Sequence, residues 1–260
     1  DYIETLPKTV FTEKAGVNSV ILDSADDLKG TLQNIAFSVS LYSGQMCTAP
    51  QNIFIPQNGV NTPEGVIPFE DVVNGLAAAI KNIAEHPKMG AGTLGGIQND
   101  QTLSKISKGG DFGGRLVLDN IKVASEEFEN ARVASPKLVV LNANQMDTYS
   151  NECFGPMVFA IKTEDTNQSL KLAADLAEKK GAITCLAFTN NGEVQNKIAS
   201  EMNDRFTPVS FNFSGAAFVN SHAAFSDFHV TGGNPAGNAS FTNPDYINRR
   251  FVWVGNRYMA

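Results

Sequence analysis

Short apolar runs alternate with segments of helical period along most of the chain, and this alternation constrains the fold more than any other feature. Asn18–Leu22 (NSVIL) has the length and continuity of a buried strand. After it, Leu28, Leu32, Ile35, Ala36 and Val39 recur at helical spacing, with Asp23, Ser24 and Asp26 available as helix caps. Asn52–Ile55 reads as a second strand, ended by Pro56. Pro68 can take the first position of a helix whose apolar face is Phe69, Val72, Val73, Leu76, Ile80 and Ile83. Further strands are expected at Arg115–Leu118, Lys137–Leu141, Met157–Ile161 and Ile183–Phe188. One helix is expected on Leu170, Ala173, Ala174 and Ala177, stopped by Gly181, and another on Val194, Ile198 and Met202. Strands and helices in this order predict an α/β fold with a largely parallel sheet.

Between these elements, 86–114 reads as irregular apart from a modest helix near Leu103–Ile106. The stretch 212–243 is rich in Gly, Asn, Ser and Phe without a period, and is expected to be ordered loop. Alternation returns in Phe251–Val254 and suggests a terminal strand. No shift of composition divides the 260 residues, so a single domain is expected. The chain opens on Asp1 rather than Met and has no signal peptide, so a piece of a longer protein is expected.

Composition removes several function classes. The net charge of −7 argues against nucleic acid or an anionic membrane as a partner. No apolar run approaches the ~20 residues that cross a bilayer. Three scattered Cys do not make a disulfide framework and point to a reducing, cytoplasmic setting. His86, His222 and His229 have no close metal-ligand spacing, and no metal site is expected. The serine-nucleophile pattern G-x-S-x-G is missing. Gly90–Gly95 fits G-x-G-x-x-G, but it follows a helix rather than a strand, so a surface loop is expected instead of a dinucleotide site.

Cys47 has the most unusual setting of the three cysteines. It stands in Tyr42-Ser43-Gly44-Gln45-Met46-Cys47-Thr48-Ala49-Pro50, where an apolar helix gives way to small residues and a proline. Small neighbours allow access to a thiolate, and a helix break frees N–H groups for a developing oxyanion. The same residues are compatible with a buried, inert thiol. Cys153 and Cys185 are read as structural.

The segment Ser43–Gln51 resembles the active-site cysteine motif of the aldehyde dehydrogenase superfamily. Two further motifs follow the same family in order. Glu13 precedes Cys47 by 47 − 13 = 34 residues, with Glu-Lys-Ala-Gly-Val in place of the usual Glu-Leu-Gly-Gly-Lys. Glu152-Cys153-Phe154-Gly155-Pro156 is similar to the family's Glu-x-Phe-Gly-Pro. The wording of 11–19 and 230–238 is similar to the aldehyde dehydrogenases of phenylacetic acid degradation. The family's usual Pro-Phe-Gly-Gly and Ser-Gly ending is absent.

This resemblance implies a three-layer αβα catalytic domain over 1–260, with 1–17 as the end of the cofactor-domain strand region. The upstream dinucleotide-binding domain and the oxyanion asparagine of the family lie outside the chain. It also implies that Cys47 attacks an aldehyde, that hydride passes to NAD or NADP, and that Glu13 activates water to release a carboxylic acid. Glu152 then holds ribose hydroxyls and Phe154 packs near the nicotinamide. The terminal segment Phe251–Val254 corresponds to the family's subunit-joining strand, so a homodimer is expected. An isolated catalytic domain is expected to turn over poorly. Phe213, Phe218, Phe225 and Phe228 are read either as a cluster under a loop or as lining of the aldehyde tunnel. Other readings of the same residues are a cysteine-dependent esterase or thioesterase without nicotinamide, and a non-catalytic assembly module.

Overall fold

Asn18–Leu22 (β1) is buried along its whole length, as its apolar sequence requires, and it sits near the middle of the sheet. The computed structural model describes residues 2, 5–8, 14–107, 112–123, 130–217 and 254–259. After β1 come α1 (Leu28–Ser40), β2 (Pro50–Pro56) and a hairpin of β3 (Val60–Thr62) and β4 (Gly65–Ile67). The helices α2 (Phe69–Glu85), α3 (Met89–Thr93) and α4 (Asp100–Ser107) follow. Next are β5 (Arg115–Leu118), β6 (Lys137–Asn142), α5 (Met146–Tyr149) and β7 (Met157–Thr163). The described chain ends with α6 (Thr166–Lys180), β8 (Cys185–Phe188), α7 (Gly192–Asn203), β9 (Val209–Phe211) and β10 (Arg257–Tyr258).

The main sheet has the order β10-β9-β8-β1-β2-β7-β6-β5. Every neighbouring pair in it is parallel except β5–β6. Successive side chains of a strand point to opposite faces, so the fully apolar strands feed two cores. Val20, Leu22, Ile53 and Ile55 face α1 and α2, where they meet Ile35, Val39, Val72, Leu76 and Ile80. Ile21, Phe54, Phe159 and Ile161 face the other way, under Leu170, Ala173 and Ala177 of α6 and Ile198 and Met202 of α7. The result is the three-layer αβα arrangement, with a mostly parallel sheet. Among the described residues no helix is long and apolar enough to cross a membrane.

Several boundaries differ from the sequence reading for identifiable reasons. The cap of α1 is Asp27, whose Oδ1 accepts from Gly30 N at 2.9 Å. Asp23 instead accepts from the Thr166 and Thr189 hydroxyls, at 2.5 and 2.8 Å, and ties the start of α6 and the start of the β8–α7 connection to the end of β1. The strand expected from Ile183 begins at Cys185, because the N–H groups of Ile183 and Thr184 donate to the Asn18 side chain. Gly90–Gly95 is not a surface loop: Gly90, Thr93 and Leu94 are buried, and a Cβ on Gly90 would lie 2.4 Å from Ala84 O at the end of α2. Among the described residues the last strand is at Arg257–Tyr258, pairing with β9. It was expected at Phe251–Val254, of which Phe251–Trp253 lie outside the described residues, as do Phe218, Phe225 and Phe228.

Phe159 is fully buried in β7 and meets Phe112 edge-to-face, with ring centroids 5.4 Å apart. Phe159→Ala is expected to lower stability by about 3–5 kcal/mol. Urea unfolding followed by circular dichroism measures it, and a loss below about 1 kcal/mol would show that this core closes around the gap.

Candidate active site

The candidate motifs converge at the amino ends of adjacent strands. Cys47 lies just before β2, and the Glu152–Gly155 loop lies just before β7. The two strands pair directly, and β1 lies on the other side of β2. Glu13 lies outside the described residues, whereas Gly16 of the same motif is described and leads into β1. The Gly16 N–H faces Glu152 Oε1 at 3.4 Å, so the first and third motifs touch.

The approach to Cys47 is a left-handed turn. Helix α1 stops at Ser40, Leu41 is extended, and Tyr42, Ser43 and Gly44 have φ of 52°, 57° and 63°. Left-handed backbone costs a non-glycine residue roughly 1–2 kcal/mol, so Tyr42 and Ser43 need external support. The support comes from the Gly-rich segment. Ser43 Oγ donates to Gly95 O at 2.6 Å, and Gln45 Nε2 donates to Gly96 O at 3.1 Å. Gln45 Oε1 accepts from Gln98 N at 2.9 Å. Gly95, which ends the G-x-G-x-x-G run, and the following Gly96 and Gln98 thus serve as a clamp on the cysteine turn. Gly44 is also required by close approach, since a Cβ there would lie 2.3 Å from Gly155 O.

After this turn, Ala49 N donates to Met46 O at 3.0 Å and closes a second turn around Cys47 and Thr48. Cys47 is exposed while Thr48 is buried. Two buried amides hold the surrounding backbone. Asn18 Nδ2 donates to Cys47 O at 2.7 Å and to Ala49 O at 3.1 Å. Gln51 Oε1 accepts from Cys153 N at 2.6 Å, and its Nε2 reaches Tyr149 O and Asn151 O, both at 3.2 Å. Lys105 Nζ adds a bond of 2.6 Å to the Glu152 carbonyl. The sequence reading missed Asn18, Ser43, Gln45 and Gln51. Its available signal was polar residues at the mouths of otherwise apolar strands, Asn18 before Val20 and Gln51-Asn52 before Ile53.

Gly16, Gly44, Met46, Glu152 and Phe154 share the wall of a cavity of about 20 Å³. A larger groove of about 660 Å³ runs between α1 and α2, and none of the motif residues lines it. The Phe154 ring is exposed and Glu152 is half-buried, so an aromatic face and a carboxylate are both presented beside the cysteine turn. The other thiols are in different surroundings. Burial pushes the Cys153 thiol above its usual range, against the lowering charge of Lys105, while the Glu152 charge adds to the rise. Burial alone pushes Cys185 up to about 12.

Residues 3–233 match the family model for the aldehyde dehydrogenase family. The chain belongs to the aldehyde dehydrogenase family. It is 29% identical over 170 residues to N-succinylglutamate 5-semialdehyde dehydrogenase of Hahella chejuensis, covering 64% of this chain and 32% of that protein. It is 25% identical over 184 residues to alpha-ketoglutaric semialdehyde dehydrogenase of Bacillus subtilis, covering 69% and 35%. A solved NAD-dependent aldehyde dehydrogenase from Burkholderia multivorans superimposes with a TM-score of 0.85 at 40% identity, over 94% of this chain and 43% of that one. The chain therefore spans about a third of the length of these curated relatives.

The three environments order the thiols of this aldehyde dehydrogenase chain by reactivity. Iodoacetamide at pH 8 with peptide mapping is expected to label Cys47 first, Cys153 much more slowly, and Cys185 only after unfolding. Equal rates at all three positions would contradict the described burial.

Proposed function

We propose that the chain carries the nucleophile of an NAD(P)-dependent aldehyde dehydrogenase that oxidises an aldehyde to a carboxylic acid. The observation that carries the reading is the exposed Cys47 placed directly after a clamped left-handed turn whose Gly44 packs on Gly155 of the Glu152–Gly155 loop. Family membership supports the reaction class. The Cys47 thiolate adds to the carbonyl carbon and forms a thiohemiacetal. A nicotinamide dinucleotide, when bound, supplies the acceptor for the hydride that leaves that carbon. Cys47 then carries the acyl group as a thioester. Glu13 takes a proton from water as it attacks, the thiolate leaves, and the acid is released.

Glu152 and Phe154 fit the nicotinamide half of such a cofactor. A carboxylate can accept two hydroxyl hydrogen bonds from a ribose, and an exposed ring offers a face for packing. The adenosine half and the family's oxyanion asparagine are assigned to the further length that the relatives possess, so turnover by the 260-residue chain alone is expected to be weak. Phenylacetaldehyde is the proposed substrate, on the wording of 11–19 and 230–238, with phenylacetic acid degradation as the setting. A homodimer formed at the β10 edge of the sheet completes the proposal.

Single-turnover incubation with phenylacetaldehyde and NAD or NADP is expected to leave an acyl group on Cys47, read by peptide mapping. Cys47→Ser should abolish both the adduct and NAD(P)H formation. Glu13→Gln should lengthen the life of the adduct by roughly 10²–10⁴-fold, the usual contribution of a general base. NAD(P)H formation that survives in Cys47→Ser, or no adduct and no NAD(P)H with the unaltered chain, would overturn the proposal.

A further inference from the structure

We propose that Asn18 is the positioning residue of Cys47, acting through the Cys47 carbonyl; this rests on Cys47 being the nucleophile. Asn18 is buried at the first position of β1, and its amide is used in full. Nδ2 donates to Cys47 O and Ala49 O, at 2.7 and 3.1 Å. Oδ1 accepts from Ile183 N and Thr184 N, at 2.9 and 3.2 Å. Two donors and two lone pairs are all that a primary amide offers. One side chain thus fastens the cysteine turn, ahead of β2, to the backbone ahead of β8, across β1.

The register explains why a side chain has this task. Asn18 pairs with Pro50 but Ser19 pairs with Asn52, which leaves Gln51 as an extra residue in β2. Such a bulge displaces the chain before it from the regular ladder. The Cys47 and Ala49 carbonyls then take the Asn18 amide in place of strand partners. Anchoring the Cys47 carbonyl fixes the plane of the peptide joining Cys47 to Thr48. The Ala49 N to Met46 O bond fixes the other side of the turn. The Sγ position then depends on one side-chain rotation. A displacement of about 1 Å at a reacting atom can cost about 10²-fold in rate, so this anchoring has catalytic weight.

Two variants separate positioning from folding. Asn18→Asp preserves the shape and both accepted bonds but replaces the donor with an oxygen facing two carbonyls. Its carboxyl, protonated at low pH, regains one donor. Asn18→Ser is neutral and shorter. Acylation of Cys47 by p-nitrophenyl acetate in the full 260-residue chain is the probe, followed from pH 5 to 9 with intact mass. Both variants are expected to acylate about 10²-fold more slowly than the unaltered chain at pH 8. For Asn18→Asp the ratio of unaltered to variant rates should shrink as the pH falls; for Asn18→Ser it should stay level. Cys185 should remain unlabelled by iodoacetamide in both, reporting an intact fold. Unaltered acylation rates in both variants, or losses accompanied by Cys185 labelling in both, would overturn the assignment of Asn18. Acylation of Cys47→Ser as fast as the unaltered chain would instead overturn the nucleophile itself.

Discussion

One extra residue in β2 governs how the candidate site is assembled. The β1–β2 ladder slips by one residue at Gln51, and the two side chains flanking the slip are buried amides. Asn18 takes the backbone on the cysteine side, and Gln51 takes the backbone of the Tyr149–Cys153 loop. An unpaired buried amide would cost about 1–3 kcal/mol, so both side chains are tied to the loops they hold. The loops cannot drift from the strands without leaving those groups unsatisfied. The bulge thus converts an irregularity in the sheet into two rigid attachments.

The second constraint is strain. Tyr42 and Ser43 occupy left-handed backbone, at a cost of a few kcal/mol together. Three hydrogen bonds to the Gly95–Gln98 segment act on the same turn, each contributing about 0.5–1.5 kcal/mol. The two effects are of similar size, so the turn persists only while the Gly-rich segment is seated on α2. Close backbone packing seats it, since Gly90 lies against the end of α2 and Gly44 lies against Gly155. Small residues at both places serve approach: a side chain at Gly44 would push the two motif loops apart, and one at Gly90 would lift the Gly-rich segment off α2.

Much of this fold was legible in the sequence because most buried strands and helices carry unambiguous periods. Val72, Leu76 and Ile80 mark the buried face of α2 directly, and Asn18–Leu22 matches β1 residue for residue. The short elements were not legible. β9 has three residues, too few to show a period, and the β3–β4 hairpin depends on Gly59 and Gly65 at positive φ. The site was partly legible, since the order of Cys47 and the Glu152 loop follows known motif wording. Its supports were not, because they join residues far apart in the chain. Asn18 reaches Thr184, and Gly16 reaches Glu152. Local pattern carries no information about such pairings. The reading of Gly90–Gly95 as surface loop failed for the same reason, since the Ser43 partner of Gly95 lies 52 residues earlier in the chain.

The position of the site follows from these attachments. Open parallel sheets usually present ligands at the carboxyl ends of their strands, where loops leave the sheet. Here the motif loops enter the sheet, and each is fixed by a first residue of the strand beside the one it becomes: Asn18 of β1 holds the loop that enters β2, and Gln51 of β2 holds the loop that enters β7. That explains why β1 and β2 open with polar residues, although their interiors are apolar. It also explains how thiols in neighbouring loops come to differ. Cys47 follows the strained turn, outside the ladder, and is exposed. Cys153 is drawn under by the Gln51 bond to its own N–H and is buried. The same bulge that holds one thiol in the open holds the other closed, so the distinction between them is a property of the β1–β2 register rather than of the cysteines.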